Sequence, residues 1–435
     1  MSIYSDWGFH GNPFEQTRLN ADQLGATLLV GRENEMAALS KRLLNPPKLP
    51  VLEGANGVGK TSLINVTVFK EFDRFISSGE GPLLVPCVKS FQLQPDSSRD
   101  SFCDEVFMEV AQTLLEHGKL IKAKCAGRLA QSESVNRWLN SAVFTNWQGG
   151  IPAVSFGSGS QASESFGFER SGFRKTVELW LKEVFPSPAF GAVVCVIDNL
   201  ELLQRSETAR KLLEQLRDPI LTIPGLRFVL CGATGITWSL ASSPRLEGIL
   251  HSPQEVSGVP TPLAATILES RRKAFAIDEN ATFLPVLAND FEKLYEILNK
   301  NLRALLHHVD DYCIWVSDRG QPQTDEQKHL AFLKWLGEQC RAIFDAANQN
   351  VTKRGWEIFD VAVSLGGAFS PNDYGKFGCA SAQALRPFVK MLEEANLLQS
   401  WREDTQDKRR KSILVTARGL LVAHHRRELA SAKVR

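Results

Sequence analysis

The eight residues Gly54-Ala-Asn-Gly-Val-Gly59-Lys60-Thr61 constrain this chain more than any other stretch. They fit G-x-x-x-x-G-K-[ST] in full, between the apolar segment Leu49 to Leu52 and a helical pattern from Thr61 to Phe75. The glycines let backbone N–H groups turn inward around an anion, and the helix that follows brings its positive end to the same point. A strand, a phosphate-binding turn and a helix are therefore expected in that order. Gly54, Ala55, Asn56, Gly57, Val58, Gly59, Lys60, Thr61 and Ser62 form the expected nucleotide-binding loop. Lys60 would reach the β- and γ-phosphate oxygens and Thr61 would ligate magnesium, which makes ATP and Mg2+ the expected cofactors.

A second stretch, VVCVIDNLELL from Val193 to Leu203, runs apolar residues into Asp198, Asn199 and Glu201. A buried strand ending in Asp suits a metal residue, and Asp198 is expected to close the phosphate site from the neighbouring strand, holding Mg2+ together with Thr61. ATPases of this general look place a water-activating glutamate at the next position, where this chain has Asn199. Asn199 can orient water but cannot take its proton, so the general base falls to Glu201 or to a group from elsewhere. On a continuing strand Glu201 would face the wrong way, and only a turn would bring it back. Slow hydrolysis of ATP to ADP and phosphate is the consequence, a switch more than a motor.

The fold class follows from the order of patterns. Val193 to Ile197 and Leu226 to Cys231 are largely apolar runs of buried-strand length, with a helical stretch, Thr208 to Leu216, between them. Alternation of strands and helices implies an α/β P-loop parallel sheet with helices on both faces. The Gly/Ser-rich residues 149–167 read as a loop or loose hairpin. After Pro260 the pattern turns helical only, at Leu263 to Phe275, Phe291 to Leu298 and Leu302 to Val316, and residues 317–327 look like a linker. The expected division is an N-terminal arm at 1–30, an ATPase core at 31–260, an α-helical lid at 261–320 and a C-terminal winged-helix domain at 325–435.

That last domain reads from Gly355 to Leu421. Trp356, Ile358, Phe359, Val361 and Ala362 suggest one amphipathic helix, and Ser370 caps a second. In a third, Leu385, Phe388, Val389 and Leu392 fall at helical spacing. Two strands then flank the charged turn EDTQDKRRK. If such a module binds double-stranded DNA, the third helix offers Gln383, Arg386 and Lys390 to the major groove, and Lys408, Arg409, Arg410 and Lys411 on the wing meet phosphates. Pro387 puts the start of that helix in question. Residues Gln399 to Arg435 hold ten Lys or Arg against four acids in a chain of net charge +1, which favours a polyanion contact at one end or a solvated tail.

Composition excludes several classes. No apolar stretch approaches the length of a membrane span and no leader-like N-terminus is present, so a soluble, cytoplasmic protein without a membrane partner is expected. The eight cysteines are too dispersed for a zinc site and are expected reduced and mostly buried. The pairs His307-His308 and His424-His425 lack partners for nuclease or protease chemistry.

With these motifs in place, the chain resembles the AAA+ ATPases of the origin-recognition and replication-initiator branch, which shares features with signalling ATPases of the STAND type. VGRENE resembles the box whose backbone lies against adenine, implicating Val30, Gly31 and Arg32. LRFVLCGATGI resembles the strand carrying sensor 1, with Thr234 as the polar residue in place of the usual Asn. PRLEGIL puts Arg245 where the family carries an arginine finger for a neighbouring subunit, and NLRALLHHVDD resembles sensor 2, with Arg303 reaching back to the phosphates. The C-terminal ordering resembles MarR-like winged helices, through Asp407, Arg409, Ile413 and Thr416. The resemblance implies an ATP-controlled DNA-binding protein. Its alternatives are a signalling ATPase, for example in antiviral defence, whose ATP-driven self-association into a homo-oligomer activates a partner protein, and a transcriptional regulator with a vestigial ATPase.

Overall fold

The computed structural model describes residues 2–94, 97–124, 160–203, 206–233, 237, 240, 243–402 and 411–434, with the side chains of 122–124, 160–171, 206–207, 401–402, 411 and 432–434 left out. Its centre is a parallel sheet of β1 (Val51–Glu53), β2 (Leu83–Pro86), β3 (Phe91–Gln92), β4 (Gly191–Asp198), β5 (Leu226–Gly232) and β6 (Gln254–Glu255). The strands run in the order β2-β4-β5-β1-β6, with β3 added beside β4. Every residue of β4 and β5 is buried, as a strand covered on both faces requires. Along β4 the faces alternate: Val193, Cys195 and Ile197 enter one core, Val194 and Val196 the other. The first core is covered by helices Arg99–Glu116, Ser160–Val184 and Ser206–Leu216, the second by Glu33–Leu43 and Lys60–Ser78.

Two expectations change here. Asp198 does not come from the strand next to the phosphate loop, because β5 lies between β4 and β1. Residues 160–167, read from composition as loop, form the first turns of the helix Ser160–Val184. Beyond 171 that helix presents Phe173, Val177, Trp180, Leu181 and Val184 to the sheet at helical spacing, and this burial outweighs the poor helix propensity of its Gly and Ser.

The lid consists of helices Ala264–Phe275, Ala288–Ile297 and Leu302–Ser317. Its core also takes up Tyr4, Trp7, Phe9 and Phe14, so the N-terminal arm packs on the lid. The Asn12 side chain and the Tyr4 hydroxyl both donate to Asp310 on the last lid helix. Residue 325, the expected start of the C-terminal domain, is the first residue of the helix Asp325–Asn348, which runs between two cores. Thr324 caps the helix Asp325–Asn348 in a reciprocal box with Gln327. The first half of that helix gives Phe332, Trp335, Leu336 and Cys340 to the lid core, and its end gives Ala347 to the C-terminal core.

The C-terminal region holds helices Lys353–Ser364 and Ala382–Glu394, a capped turn Pro371–Phe377, and the antiparallel sheet of β7 (Ala368–Phe369), β8 (Leu398–Arg402) and β9 (Lys411–Val415), in the order β7-β9-β8. A last helix, Ala417–Val434, packs back along Asp325–Asn348. Among the described residues no helix is long and apolar enough to cross a membrane, and the described cysteines are unpaired, five of them buried.

Candidate nucleotide-binding site

The loop between β1 and the helix Lys60–Ser78 is built on left-handed glycines: Gly57 has φ +83° and Gly59 φ +96°. A side chain at Gly57 would meet the lid as well, since a Cβ there lies 2.4 Å from Asn301 Oδ1. The Lys60 ammonium is buried and donates to the carbonyls of Gly54, at 2.8 Å, and Ala55, at 3.1 Å. Those two residues do not line the cleft themselves; their part in the loop is to hold Lys60. Asn56 to Ser62 do line it.

Thr61 Oγ1 donates to Asp198 Oδ2 at 2.6 Å. The intervening β5 does not prevent this, because the first turn of the helix Lys60–Ser78 projects over the strand ends. The other carboxylate oxygen of Asp198 accepts from the Asn199 backbone N–H at 2.8 Å. Asn199 is left-handed, φ +56°, a conformation that Asn tolerates better than most residues. The strand stops there and a 3-10 turn, Leu200–Leu203, begins. That turn brings Glu201 to the cleft alongside Asp198 and Asn199. Glu201 is buried and accepts from the Ala233 N–H at 3.2 Å, so it is held at the end of β5.

The residues expected around the base are arranged less simply. Val30 lines the cleft. Gly31 does not; it is left-handed, φ +71°, and a Cβ there would strike Leu263 of the lid. Arg32 is buried, with one guanidinium nitrogen 2.7 Å from Glu35 and another donating to the Val58 carbonyl at 2.8 Å. It borders the cleft but braces the phosphate loop from behind. The apolar wall that sequence reasoning missed is Leu28, Leu29, Val259, Ile267, Leu302 and Leu306, drawn from arm, core and lid. No local pattern marks such a wall, because its members are distant in sequence and share only apolar character.

From the lid, Asn301 caps the helix Leu302–Ser317 by accepting from the Ala304 N–H at 3.1 Å, and its amide donates to the Asn56 carbonyl at 3.0 Å. The Arg303 N–H donates to the Gly57 carbonyl at 3.3 Å, and the exposed Arg303 side chain lines the cleft. Arg271 on the first lid helix also borders it. It is 4% exposed and donates to the Pro13 carbonyl at 2.7 Å, with its pKa pushed down to about 10 by burial.

The remaining expected positions are away from the cleft or outside the described residues. Arg245 is exposed in the turn 244–249, away from the cleft. Thr234, Asp407, Lys408, Arg409 and Arg410 lie outside the described residues, as does the side chain of Lys411. Gln383, Arg386 and Lys390 are all exposed on one face of the helix Ala382–Glu394. Ser381 caps this helix, which runs on through Pro387. Pro387 is on the exposed side, where water can satisfy the carbonyl its missing N–H leaves free.

No protein-family model and no curated protein matches the chain. Among solved structures it is similar to the Aeropyrum pernix ORC1 protein in complex with DNA, at 11% identity over 94% of this chain and 98% of that one, with a TM-score of 0.43. It is similar to the ADP form of the Aeropyrum pernix ORC2 protein, at 12% identity over 98% and 99% of the two chains, TM-score 0.47. It is also similar to a Walker-type ATPase of Pyrococcus abyssi, at 13% identity over 95% and 99%, TM-score 0.45.

Proposed function

We propose that this protein binds ATP with magnesium in the cleft between sheet and lid, hydrolyses it slowly, and uses the bound state to set the grip of its C-terminal module on double-stranded DNA. The observation that carries this reading is the strip of residues 299–303. On one side Asn301 and Arg303 hydrogen bond to the phosphate loop. On the other, the exposed Asn299 side-chain amide lies 3.5 Å from the Gly366 carbonyl, at the turn between the helix Lys353–Ser364 and β7. A lid position that depends on phosphate is thereby passed to the C-terminal module.

Thr61 and Asp198 would hold magnesium, which takes few protein ligands and completes its shell with water and phosphate oxygens. Their hydroxyl and carboxylate already converge. The ion would supply charge neutralisation at the β- and γ-oxygens. Asn199 orients water, and Glu201 is the side chain that can accept its proton. Turnover is slow because Asn199 stands where a base is usual, and the Glu201 carboxylate that has to replace it is already engaged by the Ala233 N–H.

The C-terminal module serves as a winged helix, with Gln383, Arg386 and Lys390 facing the groove. A gel shift with duplex DNA, with and without ATP and at two salt concentrations, tests the reading. Arg386→Ala combined with Lys390→Ala is expected to weaken binding at least about tenfold and to flatten its salt dependence. Absence of binding by the parent at low salt rejects the DNA function. The exposure of Arg245 away from its own cleft supports a second reading, ATP-dependent self-association, in which it serves a neighbour's nucleotide. Sedimentation with ATP tests that, and an Arg245→Ala variant that assembles and hydrolyses like the parent rejects it.

A further inference from the structure

We infer that Arg18, on the N-terminal arm, binds the γ-phosphate in cis and makes the cleft discriminate ATP from ADP. The inference rests on the nucleotide reading of the cleft and adds a residue to it. The arm crosses from lid to sheet: Pro13 is held by Arg271 of the lid, and six residues later Leu19 is fastened to the phosphate-loop helix. The Leu19 N–H donates to Ser62 Oγ at 3.0 Å, and its carbonyl accepts from Asn65 Nδ2 at 2.8 Å. Ser62 follows Thr61 directly, so Arg18 is pinned beside the first turn of that helix.

The direction of its side chain assigns it to one end of the cleft. Arg18 lines the cleft, and its guanidinium donates to the Ser90 hydroxyl just ahead of β3. In β3, Gln92 is in register with Asp198. Ser90 stands just beside the cleft, in a neighbouring cavity that Arg18 also lines with Asn65, Lys89 and Val196, so Arg18 sits between the two at the β4 edge, away from the apolar wall at Val30 and Ile267. The inner phosphates are taken by the backbone N–H groups of the loop. Swung from Ser90 toward Asp198, the cation would face the terminal phosphate.

Charge supports the same assignment. Among the described residues Arg18 has a neutral hydroxyl as its side-chain partner and forms no ion pair, in contrast to Arg32, which is paired with Glu35. The planar guanidinium can keep one N–H on Ser90 and offer others to phosphate oxygens. Arg18 also ties the nucleotide to an arm anchored on the lid, so loss of the γ-phosphate would loosen one of the ties between lid and sheet.

The test is the ratio of dissociation constants for ADP and ATPγS, both with Mg2+, measured by calorimetry on the full chain. The parent is expected to prefer ATPγS by at least about tenfold, the scale of a charged hydrogen bond. Arg18→Ala should bring the ratio near one while ADP affinity stays within about twofold, and Arg18→Lys should keep part of the preference. Ser90→Ala should keep the parent ratio, because the Ser90 contact is not the one being measured. An Arg18→Ala variant with the parent ratio, or one that loses both nucleotides equally, overturns the inference. So does a Ser90→Ala variant that behaves like Arg18→Ala, since the role would then be structural. A parent that binds both nucleotides equally overturns the Arg18 role alone, whereas a parent that binds neither overturns the nucleotide reading with it.

Discussion

Gly57→Ala is the substitution that most directly probes the contact between phosphate loop and lid. Gly57 is left-handed, and its added Cβ would lie 2.4 Å from Asn301 Oδ1 and 3.1 Å from Arg303 Cβ. An alanine held in that backbone region costs about 1–2 kcal/mol. The overlap with Asn301 also displaces a helix cap, and losing the bond from the Ala304 N–H costs about 1 kcal/mol more. The total is about 2–3 kcal/mol, concentrated at the start of the helix Leu302–Ser317. Native-state hydrogen exchange over residues 299–310 reads the opening free energy of that helix end directly. In an Asn301→Ala background the collision and the cap are both absent, so Gly57→Ala should cost only its backbone strain. The two substitutions should then fall short of additivity by about 1 kcal/mol. Penalties that add within about 0.3 kcal/mol would refute the reasoning, because the loop and the lid helix would not be touching.

Two further outcomes follow from the same geometry. Glu201→Gln retains an acceptor for the Ala233 N–H but removes the proton acceptor, so kcat should fall at least about a hundredfold while ATP affinity changes less than about threefold; an unchanged slow rate in a phosphate-release assay would acquit Glu201. His308 is pushed down to about 4 by burial, with the neighbouring His307 acting in the same direction and Asp311 4.0 Å away. Its folded pKa lies below the unfolded value of about 6.5, so its stabilising contribution is complete above that value and is lost as pH falls toward 4, by up to about 3 kcal/mol. His308→Leu should flatten the fall of thermal stability between pH 7 and 4.5, and parallel pH curves for parent and variant would exclude the ring as its source.

The elements legible in the sequence are those whose cause is local. The phosphate loop is readable because glycine, lysine and threonine must stand at fixed spacing to cup one anion. The strands β4 and β5 are readable because both faces are covered, which leaves them apolar apart from Asp198 at the end of β4 and Arg227 near the start of β5, whose guanidinium donates to the Leu43 and Pro188 carbonyls. The cap at Ser370 lies where its residue type places it, whereas those at Ser381 and Thr324 emerged only with the helices they begin. The short strands β3, β6 and β7 escape such reading because each has two residues and is stabilised by its partner strand, not by its own pattern.

What sequence alone determined, then, was the chemistry at a point: an anion cup, a carboxylate at a strand end, an asparagine where a base is usual. Tertiary structure decided who meets that point. It put β5 between β1 and β4 and still joined Thr61 to Asp198, because helices project across strands. It folded Glu201 back through a left-handed Asn199. It laid the N-terminal arm on the lid, where four aromatic side chains are buried, and so carried Arg18 to the cleft. Spacing along a chain records what neighbouring residues do to each other; burial of distant apolar surfaces brings the rest together, and it leaves no periodic signature at the residues it positions.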